Sequence, residues 1–223
     1  MKIDLKTQHI AKRPISYVNI FYQMSGNTTI PKIKDFVKII ELEIKSLNLS
    51  DIDKRNFRGE ILEVFAEIFF NLNSTNARYG IKDYTPTTPD TDFGIDAYGK
   101  NPAGNDCVIQ VKYRKNPAPR KEEEKLHWED LAKTHSSGIL DFKFELKEKS
   151  TIFLFTTLYE RSVSYVCEDR FGSILRIIDR KFLDEELYKN KNFWDTTYQI
   201  IIDYLKDNNH PCVKQIEGDT NAS

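Results

Sequence analysis

Apolar positions along this chain follow two rhythms. From Pro31 to about Leu47 the residues Ile33, Phe36, Val37, Ile40, Ile44 and Leu47 recur every three or four positions, the stripe of an amphipathic helix, with Pro31 suited to its first turn. Ser50 followed by Asp53 opens a second helix running to about Leu72, and its second half, EILEVFAEIFF, is apolar nearly all round, which predicts burial. Beyond it the rhythm shortens. The turn-rich stretches TPTTPDT and GKNPAGN separate the β-type runs ARYGIKDY, DFGIDAYG and DCVIQVKYR, predicting three strands of a meander. A helix is expected from about Glu122 to Thr134, a sheet-centre strand at TIFLFTT (Thr151 to Thr157) and a strand at SILRII (Ser173 to Ile178). A last helix spans about Trp194 to Leu205. The aromatic, β-branched run Ile15 to Gln23 reads as a strand, and Ser162 to Glu168 fits strand or short helix.

Helices alternating with strands predict an α/β domain, and the length of 223 residues suits one globular domain with a small appendage. The expected division is an N-terminal, mostly helical extension over 1–50, the main domain over 51–206 and a polar tail over 207–223. No apolar run approaches the ~20 residues of a membrane span, and the basic start lacks the apolar segment of a secretory signal, so a cytoplasmic protein with no membrane partner is expected. Cys107, Cys167 and Cys212 are odd in number and far apart, which argues against a disulfide framework or a CxxC zinc site. His9, His127, His135 and His210 are likewise scattered and read as surface residues. No phosphate-binding glycine loop, nucleophile elbow or dinucleotide fingerprint is present, so any motor or specificity subunit would be a separate chain.

The formal charge of −1 announces no polyanionic partner, but its distribution is uneven. From Val111 to Lys121 the chain carries Lys112, Arg114, Lys115, Arg120 and Lys121 with no acid, then Glu122, Glu123 and Glu124. A solvated loop entering a helix N-terminus explains the acids equally well.

Within the predicted strands, Gln110 and Lys112 are two apart and share a face, while Val111 points the other way. Antiparallel pairing through GKNPAGN would set Asp96 beside Gln110, giving a carboxylate, an amide carbonyl and an ammonium in one place. Such a set suits magnesium, with manganese as a substitute, because a hard cation needs few protein oxygens when water and a substrate phosphate supply the rest. Lys112 would orient the attacking water or offset charge developing on phosphorus.

This order of residues resembles the PD-(D/E)XK nuclease superfamily, more narrowly its Mrr-like restriction endonucleases and the related nuclease domains fused to helicases. The matching elements are Gly59, Leu62 and Glu63 on the second helix, Asp92, Gly94 and Asp96 in TDFGIDAYG, and Gln110 with Lys112 in VIQVKYR. The likeness extends from about Phe57 to Asp179. It implies a restriction-endonuclease-like mixed central sheet flanked by helices, and metal-dependent hydrolysis of DNA phosphodiesters. It also implies roles: Asp96 as the central metal ligand, Gln110 in place of the second acidic ligand, Lys112 as the catalytic lysine and Glu63 as the helix carboxylate. The neutral Gln110 departs from the acid of the wider superfamily and weakens the expected metal affinity. The resemblance also favours a helix over Ser162 to Glu168.

Taken singly these residues are ordinary: Gln110 and Lys112 could be a solvent-facing pair, Asp96 a turn residue, and Glu60 or Glu67 could stand in for Glu63 because all three share a helix face. Asp92 ranks below Asp96 as a loop cap or supporting group. Arg114, Lys115, Arg120 and Lys121 are the candidate phosphate contacts, and Ser136, Ser137 and Gly138 either close the following helix or offer polar donors to a backbone. A homodimer would serve two cuts on opposite strands. Two further readings stay open, an inactive DNA-binding or interaction module of the same fold and an RNA-directed nuclease.

Overall fold

A computed structural model describes residues 3–88, 94–118, 126, 128–140, 151–159, 163 and 172–214. The chain packs as two compact units, one built from residues 1–64 and 184–223, the other from 65–183. The segment expected to form a nuclease-like domain, 51–206, contributes to both.

The first unit is helical. It contains α1 (His9–Lys12), α2 (Pro14–Met24), α3 (Ile33–Ser46), the first part of α4 (Asp51–Leu72), the end of α6 (Arg180–Lys189) and α7 (Phe193–Asp207). The run from Ile15 to Gln23, expected as a strand, is helix α2. Tyr17, Ile20, Phe21 and Met24 are buried at positions i, i+3, i+4 and i+7, and that stripe outweighs the β-branched composition on which the strand reading rested. Pro31 lies just outside α3, whose N-cap is Lys32. Asp184 accepts the Ile33 N–H at 2.7 Å and the Trp194 indole N–H donates to the Pro31 carbonyl at 2.9 Å, tying the start of α3 to α6 and α7. The Phe36 ring lies against both Phe21 and Trp194, with centroids 5.6 and 5.2 Å away. Ser50 opens α4 as expected, its hydroxyl accepting the Asp53 N–H at 3.1 Å.

The second unit is α/β. Its five-stranded mixed sheet has the order β1-β2-β3-β4-β5, from β1 (Lys82–Pro86), β2 (Ala97–Lys100), β3 (Asp106–Lys112), β4 (Thr151–Thr156) and β5 (Leu175–Ile178). The β1-β2 and β2-β3 pairs are antiparallel, and β3-β4 and β4-β5 are parallel. Alternation along β3 and β4 then decides what each face buries. Phe153 and Phe155 meet Phe65, Phe69 and Phe70 on the second half of α4, explaining why that half is apolar all round. Val108, Ile152 and Leu154, on the opposite face, pack with Ile95 and with Leu131 of α5 (Trp128–Leu140).

Several expectations shift. The run DFGIDAYG enters the sheet only at Ala97, so Asp96 immediately precedes β2. Helix α5 continues to Leu140, so Ser136, Ser137 and Gly138 lie inside it rather than closing it. The segment Ser173 to Ile178 begins as a 3-10 turn before β5. Helix α6 has no counterpart in the sequence expectations. Among the described residues, no helix is long and apolar enough to cross a membrane.

Candidate active site

The antiparallel register of β2 and β3 pairs Ala97 with Ile109, which brings the preceding residue, Asp96, level with Gln110; the Asp96 N–H donates to the Ile109 carbonyl at 3.0 Å. The Asp96 carboxylate accepts the Val111 N–H at 2.5 Å and the Gln110 side-chain N–H through the same oxygen, Oδ2. Gln110 is buried, 3% exposed, so it is no solvent-facing residue. Its other end reaches α5, where the Thr134 hydroxyl lies 2.7 Å from Gln110 Oε1 and 2.7 Å from the Gly94 carbonyl.

Gly94 is required for this arrangement. Its φ of +91° is a conformation L side chains rarely adopt, and a Cβ there would lie 2.9 Å from Lys133 Cδ. The glycine therefore lets the chain pass close under α5 and offer its carbonyl to Thr134.

Lys112 follows Gln110 on the same face of β3, at the strand's end and level with Thr156 of β4. It is half-buried, and its ammonium has no hydrogen-bond or ion-pair partner among the described residues. The backbone beyond is held in place: the Arg114 N–H donates to Thr157 Oγ1 at 2.7 Å, and the Thr156 hydroxyl donates to the Lys112 carbonyl at 2.8 Å. Arg114 is half-buried and Lys115 exposed, whereas Arg120, Lys121 and Asp92 lie outside the described residues.

The helix carboxylates are disposed differently. Glu63 belongs to the first unit, where its Oε2 lies 2.9 Å from His9 Nε2. Glu60 lies 2.7 Å from Lys12 Nζ and 3.6 Å from His9 Nδ1. Glu67 belongs to the second unit and is 1% exposed. His9 is thus no surface residue, since an imidazole between two carboxylates holds its proton. Burial alone would lower its pKa, but the hydrogen bonds and charges of Glu60 and Glu63 outweigh that and raise it to about 9. For Glu60, burial works upward and is outweighed by His9 and Lys12, which bring the carboxyl down to about 2. The sequence carries no signal for this contact, because His9 and Glu63 stand 54 residues apart. Thr134 was equally hidden, as it belongs to no motif. Cys107 and Cys212 are free and buried, and burial pushes the Cys107 thiol up to about 12, which makes it a poor nucleophile.

Among the described residues no three His, Cys, Asp or Glu side chains are grouped to hold a metal ion. A hard cation at Asp96 would therefore rely on the Gln110 amide, water and substrate oxygens. The donor chemistry fits after one adjustment. As placed, Gln110 turns Nε2 toward Asp96 and Oε1 toward Thr134. A half-turn of the amide would set Oε1 beside the Asp96 carboxylate, a pairing that needs a cation between. The Thr134 hydroxyl would then accept from Nε2 while donating to Gly94. Compared with models of known protein families and with curated proteins, the sequence matches none.

Proposed function

We propose that this protein is a divalent-cation-dependent nuclease that hydrolyses phosphodiester bonds in DNA, with a restriction-endonuclease-like site on β2 and β3. The observation that carries the reading is the Asp96 carboxylate beside the buried Gln110 amide, with the Lys112 ammonium, which has no partner among the described residues, next on the same strand face. Asp96 and the Gln110 carbonyl would hold a magnesium or manganese ion, which would supply Lewis-acid chemistry toward the phosphate and a more acidic water. Asp96 anchors that charge, and Gln110 contributes its carbonyl at lower cost in repulsion than a second carboxylate would. Lys112 orients the attacking water and offsets the negative charge that grows on the phosphoryl oxygens. Arg114 and Lys115, just past the end of β3, meet flanking phosphates.

The test is incubation of the purified chain with linear, circular and single-stranded DNA in magnesium, manganese or chelator, alongside Asp96→Ala. Cutting that needs the cation and disappears in the variant supports the reading. Cation-independent cutting, undiminished cutting by Asp96→Ala, or no cutting in any condition rejects it. Single-stranded RNA in the same series decides the polymer.

A further inference from the structure

A second feature of the α/β unit lies at its β5 edge. A cavity of about 380 Å³ is lined there by Arg78, Tyr79, Leu175, Arg176, Ile177 and Phe182, among others. That volume is at the low end for small-ligand sites, ~300–1,000 Å³, and suits one compact ligand rather than a duplex. The lining divides by chemistry. Ile178 is buried on the same face of β5 as Arg176 and offers an apolar floor, while Leu175 and Ile177, whose side chains pack on the opposite face, line the cavity at the strand itself. Phe182 forms an aromatic wall: the edge of its contact with Tyr79 is close to perpendicular, with centroids 5.1 Å apart, and the Arg78 guanidinium lies over the ring at 5.6 Å. Arg78 has no hydrogen-bond or ion-pair partner for its side chain among the described residues. Arg176, exposed on β5, adds a second positive charge at the same cavity. Among the described residues that line it there is no carboxylate.

An apolar floor, a layered arginine-aromatic wall and a second guanidinium select a flat ring joined to an anion. We infer that this cavity binds one nucleoside phosphate, with the base stacked on the Arg78-Phe182 wall and the phosphate held by Arg176. Bases stack on guanidinium planes as readily as on rings, and guanidinium matches phosphate with paired donors. The choice of a nucleotide over other aromatic anions rests on the nuclease reading; the preference for a ring carrying an anion does not. The source is either a free mononucleotide or one unit of a strand.

Calorimetric titration distinguishes these, with a nucleoside, its 5′-monophosphate, inorganic phosphate and a single-stranded trinucleotide as probes. The protein used carries Asp96→Ala, so that no probe is cut. The monophosphate should bind at least about tenfold more tightly than the nucleoside. Arg176→Gln should erase that difference, while Phe182→Leu weakens both by a similar factor. A trinucleotide binding more tightly still, through the same two side chains, assigns the cavity to a strand; equal affinity assigns it to the free nucleotide. Failure of every probe to bind, or nucleoside and monophosphate binding equally to the Asp96→Ala protein with Arg176 and Phe182 intact, overturns the inference. Because binding is read without cleavage, a parent protein that cuts no DNA while its Asp96→Ala form binds the monophosphate refutes the nuclease reading alone, and a parent protein that cuts DNA while its Asp96→Ala form binds no probe refutes the cavity assignment alone.

Discussion

At the scale of single residues, the Gln110 amide is where the proposed cation can be tested. Replacing it by Glu sets two carboxylates side by side, which repel unless a cation lies between them. Gln110→Glu is expected to melt below the parent protein in chelator and to recover with magnesium, in a thermal titration of both proteins; magnesium shifting neither midpoint would remove the cation from this place. Thr134→Val keeps the side-chain shape but takes away the hydroxyl shared by Gly94 and Gln110. Its loss leaves buried acceptors short of a donor and should cost about 1–3 kcal/mol in urea unfolding. His9 gives a pH signature. Its folded-state pKa of about 9 exceeds the ordinary 6.5, so its stabilising contribution is complete below about pH 6.5 and is lost as pH rises through 9. The acid limb comes from Glu60, whose contribution is present above 4.5 and lost as pH falls through 2. Urea midpoints measured from pH 5 to 10 should fall on the alkaline side in the parent protein and stay flatter in His9→Ala; matching profiles would contradict the assignment.

Among the elements, α3 and α4 are pinned by a two-pronged ion pair, Arg58 Nε to Glu41 Oε1 at 2.6 Å and Nη2 to Oε2 at 2.9 Å. Charge-assisted bonds of this kind, part-buried, make Glu41→Ala a loss of about 2–3 kcal/mol in denaturant unfolding, whereas exposed Asp51, bonded to Lys54, should cost under about 0.5 kcal/mol. What the sequence disclosed follows the same division. Helices α3 and α4 and strands β3 and β4 were readable because each buries one face or both, which forces a regular apolar period. Helix α2 resembles a strand in sequence because its stripe is interleaved with β-branched and aromatic residues on neighbouring positions. Helix α6 leaves little apolar signal in the sequence because its charged run, KFLDEELYK, buries only Leu183 and Leu187 of its apolar residues well. The pairing of Asp96 with Gln110 was legible from the turn between their strands. The Thr134 support and the His9 clasp were not, since contacts between distant segments leave no local pattern.

For the whole molecule, a net charge of −1 means that the proposed nucleic-acid affinity would have to come from local cations. Each phosphate met on a duplex adds about 0.9 to the slope of log affinity against log salt, so removing one contact through Lys115→Ala should lower that slope by about 0.9 without changing the cation requirement. The proposed role of Lys112 is to act on a phosphodiester held at Asp96. Its most direct measurement is the single-turnover rate at which supercoiled DNA is nicked in magnesium by the parent protein and by Lys112→Ala. A fall of about 10²-fold or more, with DNA binding retained, is the predicted result; equal rates would contradict the account.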